Sequence, residues 1–594
     1  MKQWIILDKF NSNNSKNINE EILNILFKNR GLKDKKAIRE FCDPKLENIT
    51  TESVGIDKKQ LKKVLVRIYK AIDKKEQIIV YGDYDVDGIT GTAILWETLN
   101  SMGAKVLPYL PNRIEEGYGL SIAGISNIKN QRSKINEVKL IITVDNGIVA
   151  NEAVEFAREN GIDVIITDHH LQDKKLPDAF AIVHTTKLCG AGIAWVVAKE
   201  LKKAGGSISN GIAASSRKNR TPRNDSLDDD NHLELAALGT IADMVPLTGA
   251  NRAIVKFGLE KLSRTRRPGL IELFKQSGIQ SDVYMGKLTL GIYEVGFIIA
   301  PRLNAAGRIE NAIDGLRLLC TKDKNKAREL AQKLELINRE RQLIMKQAKE
   351  HASLSVKMQH SLKKILIVGH ESYQQGIIGL VAGKLVDEFY RPSIVLSIGE
   401  KYSKASARSI SGFNIIEFLR SKSEYLVNVG GHPMAAGFTI ETNKIIAFKE
   451  SVETIAENLL DGEALTRKLK IDFELPYSVI NKEFYNNLAQ LAPFGMGNPE
   501  PVFVTKNVVV DNIKVLGKEG KHLKLHLKSP HFAKASRGMQ ILNLEFEGIA
   551  FGMGEMAREI KIGDAIDIAY TVDENTWNGN SKLQLKVKDL RKTK

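Results

Sequence analysis

The chain has 594 residues, 43% hydrophobic and 27% charged, a composition that excludes a disordered or collagenous chain and leaves room for about three domain cores. Its 87 lysines and arginines against 71 acids give a net charge of +16, which favours a polyanionic partner. Three scattered cysteines, Cys42, Cys189 and Cys320, argue against a disulfide framework or a zinc knuckle. No apolar run nears the ~18 residues of a membrane span, and residues 1–10 are too short and too polar for a signal peptide, so a cytoplasmic location and no membrane partner are expected.

Residues 1–60 read as a helical cap over a sheet, with Ile22, Leu23, Leu26 and Phe27 at helical spacing. Residues 61–72 continue as an amphipathic helix. From 77 to about 247 apolar strand runs alternate with helical stretches, the pattern of a doubly wound parallel α/β sheet. The first run, Ile78 to Tyr81, breaks into Asp83, Asp85 and Asp87, followed by Gly88. Three acids so closely spaced repel one another and invite a hard cation. An EF-hand loop opens the same way, but its twelfth position would be Ile94 and its lead-in reads as strand. Three further apolar runs end in potential ligands: 139–147 delivers Asp145, 163–170 delivers Asp168, His169 and His170, and 235–247 delivers Asp243 in a loop or helix start. Ligands at the carboxyl ends of parallel strands converge on one edge. Four such endings in one chain predict a carboxylate-rich two-metal site.

Residues 111–120, PNRIEEGYGL, punctuate the surface and carry Arg113. The polar stretch 205–231 cannot build a core and reads as a flexible insert. Residues 321–359 form a long linker helix, with Leu330, Leu334 and Ile337 on one face. A smaller α/β lobe follows, with strands at 363–370 and 392–398 and a helix at 376–389. Ser406, Arg408 and Ser409, in an extended stretch entering a helix, make a candidate phosphate cradle. Gly430 and Gly431 let backbone N–H groups approach an anion, beside His432. Beyond 468 the chain turns β-rich. Lys524 and Lys528 in HLKLHLK, and Lys582, Lys586 and Lys588 in KLQLKVK, alternate with leucine and valine. Lysines on one half-exposed strand usually serve solubility, but two strands with uniformly basic outer faces read rather as a track for nucleic-acid phosphates.

The motifs YGDYDVDG, TVDNG, TDHH, GTIADMVPL, RLNAAGR, ARSISGFNI, GGHPMAAGF and PFGMGNPEPVF resemble, in that order, those of the DHH phosphoesterase superfamily, and within it the RecJ-type single-strand-specific exonucleases. The resemblance spans most of the chain. It implies a helical N-terminal cap (1–60), a DHH catalytic domain (61–320, with the insert 205–231), a linker helix (321–359), a DHH-associated domain (360–465) and an OB-like nucleic-acid-binding β domain (466–594).

The resemblance also implies roles. Two Mn²⁺ or Mg²⁺ ions share Asp145; Asp83 and Asp85 serve one, and Asp87, His169 and Asp243 the other. His170 contacts substrate and Asp168 orients the histidine pair. Arg113 faces a terminal phosphate, while Arg302, Asn304, Arg308 and His432 contact substrate. The implied activity is 5′→3′ exonucleolytic release of mononucleotides in DNA repair and recombination. The implied partner is single-stranded DNA, preferably 5′-phosphorylated, supplied with a helicase or a single-strand-binding protein. Two alternatives stand beside it: a DHH phosphodiesterase for very short oligonucleotides or cyclic dinucleotides, and a catalytically decayed single-strand-binding scaffold.

Overall fold

The apolar runs become the middle of a five-stranded parallel sheet, in the order Lys105–Tyr109, Gln77–Gly82, Val138–Val144, Asp163–Asp168, Ala181–His184. Both faces are covered, which is why these strands are apolar at consecutive positions rather than alternate ones. Ile79, Tyr81, Ile141 and Ile166 pack on one side with Ile125, Ile128 and Val154 of the helices Ile122–Asn130 and Asn151–Glu159. On the other side lies the helix Val86–Ser101, so deeply buried that its residues 86–95 show almost no polar face. Numbered along the chain, the strands run 2-1-3-4-5. Successive connections leave the first strand in opposite directions, which opens a crevice at the carboxyl ends of Gln77–Gly82 and Val138–Val144. Asp83 and Asp145 follow those two ends directly.

The computed structural model describes residues 2–10, 17–113, 115–130, 137–212, 232–279, 290–529, 544–577 and 580–593. Residues 46–245 and 250–466 form one compact unit, and residues 1–45, 246–249 and 467–594 another. In the first unit the helix Lys324–Lys357 buries Leu330, Leu334 and Ile337 in its first half. Its second half places Ala348, Ala352 and Val356 in a core with Leu366, Tyr373 and Val381 of the smaller lobe. That lobe's sheet runs Leu426–His432, Ala435–Glu441, Tyr402–Arg408, Ser393–Ser397, Leu366–His370, with only the last pair parallel.

The second unit contains a closed five-stranded barrel. Phe503–Leu516, His522–Lys528, Glu545–Ala550, Asn580–Lys592 and Ala565–Trp577 follow in order, and the last returns to pair with the first. Closure leaves this barrel no free edge.

Three expectations need correction. Residues 1–45 of the expected cap group with the barrel unit, while residues 46–60 group with the parallel sheet. Ile22, Leu26, Phe27 and Phe41 share a core with Phe473, Phe503 and Leu525 of the barrel unit, and Gln3–Ile6 pairs in parallel with Lys468–Ile471. The apolar face was legible, but its partner lies more than 400 residues away in sequence. The stretch 205–231 begins as helix, because Gly190–Ile212 runs through its first residues; residues 213–231 lie outside the described residues. Asp243 stands at a helix end rather than in a loop or helix start: it closes Leu233–Ala242, a helix apolar all round because it is wholly buried. Among the described residues no helix is long and apolar enough to cross a membrane.

Candidate metal centre

Helix ends bring the acids together. Asp85 caps Val86–Ser101, its Oδ1 accepting from the N–H groups of Asp87 (2.9 Å) and Gly88 (3.1 Å). Asp87, in that helix's first turn, reaches the start of Gly190–Ile212, where Oδ2 accepts from Gly190 N–H at 2.6 Å and Oδ1 from Ala191 N–H at 2.8 Å. Both carboxylates thus sit at helix N-termini, where negative charge is favoured. Asp243 is the opposite case. It ends Leu233–Ala242, where the helix carbonyls disfavour a carboxylate.

Asp145 holds a left-handed backbone conformation, φ 64°, which is uncommon outside glycine. Its N–H donates to Thr167 O across the sheet at 3.0 Å. Gly190 is obligatory beside it, because a Cβ there would stand 2.5 Å from Asp145 Cβ.

Ligand atoms from Asp83, Asp85 and Asp145 lie within 4.8 Å of one another, as do those of Asp87, His169 and Asp243, and those of Asp145, His169 and His170. His169 Nε2 stands 3.0 Å from Asp145 Oδ1, 3.6 Å from Asp243 Oδ2 and 3.8 Å from Asp87 Oδ2. Burial, then repulsion from neighbouring acids, raises the carboxyls of Asp83, Asp85 and Asp145, and pushes Asp243 up to about 9. Burial likewise lowers His169, keeping its imidazole neutral and able to ligate.

Asp168 plays another part. Oδ1 accepts from the His169 and His170 backbones (2.7 and 3.1 Å) and from His170 Nδ1 (2.7 Å), while Oδ2 accepts from Ile148 N–H (2.9 Å). Burial works to raise its pKa, but His170 and these N–H groups hold it below the usual carboxylate range. The same bond raises His170 against its own burial. The other nitrogen, Nε2, meets the Tyr118 hydroxyl at 3.1 Å. Tyr118 escaped the sequence reading; its signal was its place five residues beyond Arg113 in the same Gly-rich loop.

Do these residues fit divalent metal? Asp83 Oδ1, Asp145 Oδ1, His169 Nε2 and Asp243 Oδ2 are all buried without a hydrogen-bond partner among the described residues. Buried polar atoms are normally satisfied, and four orphans in one cluster of oxygens and one imidazole match a hard or borderline cation. The fit is good.

Family models match in series: the DHH family N-terminal domain at 77–240, the DHHA1 domain at 362–458 and the RecJ OB domain at 471–589. The chain is 32% identical to the single-stranded-DNA-specific exonuclease RecJ of Haemophilus influenzae, over 96% of each. It belongs to the RecJ family.

The RecJ of Bacillus subtilis is 36% identical over 89% of this chain, which spans 63% of that relative's length. A crystal structure of RecJ in complex with Mn²⁺ from Thermus thermophilus superposes with a TM-score of 0.78 at 28% identity, covering 100% of this chain and 80% of that one.

The RecJ motifs outside the carboxylates divide into two groups. Arg308, Arg408, Ser406 and Arg113 converge. Arg308 Nη1 donates to Gly376 O at 3.2 Å, and a Cβ on Gly379 would meet Ser406 Oγ at 3.0 Å and Arg408 Nη2 at 3.2 Å. Arg113 lies over the Tyr84 ring at 5.2 Å. Burial, then Arg113 and Arg341, lowers Arg308 to about 10; burial and Arg113 also lower Arg408. Guanidiniums that repel one another favour an anion between them. The helix start they meet is that of Ile378–Phe389, which corrects the cradle: the helix after Arg408, Ile415–Arg420, has its N-terminus capped by Asn414. His432 belongs with this group, lowered by burial, then by Arg408 and His170.

The second group has structural partners. Arg302 donates to Glu335 at 2.7 Å and to Ile298 O. Asn304 accepts from Val86 N–H at 3.0 Å, fixing the helix that carries Asp87. Ser409 donates to Phe413 O. Gly430 and Gly431 lie in the exposed strand Leu426–His432, and at Gly431 a Cβ would stand 2.3 Å from Ala435 O. The uniformly basic track also needs correction. Lys524 and Lys582 face Glu547, Lys528 faces Asp511 and Glu545, Lys586 faces Asp573, and Lys588 faces Glu500, all within 3.7 Å. The leucines do point inward, but acids from adjoining strands and loops interleave with the lysines.

Proposed function

We propose that the chain is a metal-dependent, single-stranded-DNA-specific 5′→3′ exonuclease that releases mononucleotides, acting in DNA repair and recombination. The observation that carries this is the set of four orphaned buried ligand atoms on Asp83, Asp145, His169 and Asp243, in a chain of the RecJ family. Asp83 and Asp85 would hold one Mn²⁺ or Mg²⁺, Asp87, His169 and Asp243 the other, with Asp145 shared. Such ions supply Lewis-acid stabilisation of phosphoryl charge and activate water near neutral pH.

The chain's own residues prepare that chemistry. The N–H groups of Gly190 and Ala191 aim Asp87, and the Asp85 cap holds the helix start that presents it. Asp168 holds the proton of His170 on Nδ1 and stabilises the imidazolium, so His170 can face a charged phosphate. Arg113, Arg308, Arg408 and Ser406 form a cradle suited to a terminal 5′-phosphate, which would fix the polarity of attack by holding the end. Such an enzyme needs its strand unwound beforehand, so a helicase or a single-strand-binding protein is the class of partner that supplies it.

The test uses strands labelled at either end, single and double, with and without Mn²⁺. Mononucleotide release beginning at the 5′ end of single strands is expected. Cleavage confined to very short oligonucleotides or cyclic dinucleotides would replace this reading.

A further inference from the structure

Two sequence motifs meet inside the barrel unit: the end of GTIADMVPL, residues 246–247, and the start of PFGMGNPEPVF, residues 493–498. Leu247, itself buried, donates its N–H to Met496 O at 2.7 Å. Gly497, at φ 74°, lies so close to Pro246 that a Cβ would stand 2.9 Å from Pro246 Cβ and 3.2 Å from its Cα. The turn that makes these contacts is braced. Gly495 and Asn498 exchange backbone hydrogen bonds of 2.8 and 3.1 Å. The buried Asn498 side chain donates to Leu491 O and Pro493 O and accepts from Arg30 Nε, at 2.8 to 2.9 Å.

Pro246 follows Asp243 by only three residues, and Asp243 is poorly placed to hold itself. It closes a helix, where the carbonyls disfavour a carboxylate. The next residue, Met244, adopts a left-handed backbone (φ 59°) that is costly outside glycine. A strained exit of this kind persists only where its surroundings over-determine it. The restraint that follows is the pair of contacts at Pro246 and Leu247. We propose that the turn 495–498 positions Asp243, and so sets the affinity of the metal assigned to Asp87, His169 and Asp243. The inference rests on the two-metal reading. Gly497 and Leu247 are positioning residues in it, acting through the short span between the helix end and the turn. Asp85, on the other metal, is anchored separately by its own helix cap, so that metal should not feel the turn.

The test is metal binding rather than activity. Mn²⁺ is titrated into full-length protein, with the free ion read by electron paramagnetic resonance and folding by thermal melts. The unsubstituted protein should bind two ions. Gly497→Ala should weaken one of them about tenfold or more, the scale of outer-shell changes at metal sites, and leave the other unchanged. Asp243→Asn should weaken the same ion, and Gly497→Ala should add little in that background, because both changes act through one ligand. Gly517→Ala, which strains another turn of the barrel (φ 85°, with a Cβ 2.8 Å from His522 Cδ2), should keep both affinities. If Gly497→Ala does not fold, Gly497→Asn decides the question, since asparagine tolerates the left-handed backbone and still meets Pro246. Unchanged affinities in the Gly497 variant, equal weakening of both ions, full additivity with Asp243→Asn, or the same effect from Gly517→Ala would overturn the positioning role and leave the two-metal centre standing. Fewer than two ions in the unsubstituted protein would overturn both.

Discussion

His169 Nε2 and Asp145 Oδ1 stand 3.0 Å apart, yet neither has a hydrogen-bond partner among the described residues. The distance fits a hydrogen bond and the directions do not. Two ligand atoms approach without bonding, and Asp243 Oδ2 and Asp83 Oδ1 are orphaned in the same cluster, so the set lacks the partner that buried polar atoms normally have. Divalent cations would relieve both the unmatched lone pairs and the repulsion that drives these carboxyls upward.

Asp145→Asn should remove hydrolysis by roughly 10³-fold or more, since metal catalysis supplies several kcal/mol. Asparagine is the informative substitution because it tolerates the left-handed backbone that Asp145 adopts. EDTA should abolish activity reversibly, with Mn²⁺ or Mg²⁺ restoring it. Metal titration alongside a thermal melt checks both; an active, metal-free variant would refute the shared ligand.

Arg408→Ala should lower the preference for a 5′-phosphorylated over a 5′-hydroxyl strand by about 10- to 100-fold, since a charge-assisted contact contributes ~1.5–3 kcal/mol. Arg113→Ala should act in the same direction, more weakly. Relative kcat/KM on the two substrates measures this. Unchanged ratios in both variants would move the phosphate site elsewhere.

The paired lysines of the barrel make a different prediction from an open basic track. Reversing Lys524 and Lys586 to Glu should change the log–log salt slope of single-strand binding by less than about 0.7, the contribution of one neutralised phosphate. Dissociation constants measured across a salt series in metal-free protein decide it. A drop of more than one unit would show that DNA displaces the acids and takes the lysines.

Glu97 ties the catalytic unit together through Arg267 (2.8 Å) and His232 (2.8 Å), while Glu234 takes the remaining side of Arg267. Burial tends to raise Glu97, but His232 and Arg267 together lower it to about 2. A lowered carboxyl contributes stability above its unfolded pKa near 4.5 and loses it as pH falls towards about 2. Glu97→Gln should therefore cost about 3 kcal/mol at neutral pH, and its deficit against the unsubstituted protein should shrink between about pH 4.5 and 2. Denaturant unfolding across that range tests it; a pH-independent difference would exclude the ion pair as its source.

The sequence by itself determined the chemistry. Asp83, Asp85, Asp87, Asp145 and His169 follow strand-like apolar runs, and alternating strands and helices have few ways to pack, so these ends had to converge. Leucines at every second position, 523, 525 and 527, marked a strand with one buried face, while the barrel was implied only by the family resemblance. What only the tertiary structure decided were partners chosen across long separations. Ile22 and Phe27 show an apolar face without showing which core receives it. Lys586 shows a charge without showing Asp573 on the paired strand, because register is fixed by pairing and not by the strand alone. Leu233–Ala242 turned out a helix because burial on all sides erases the periodicity that separates helix from strand. The hydroxyl of Tyr118 acquires meaning only from what stands beside it, and a linear chain does not state its neighbours.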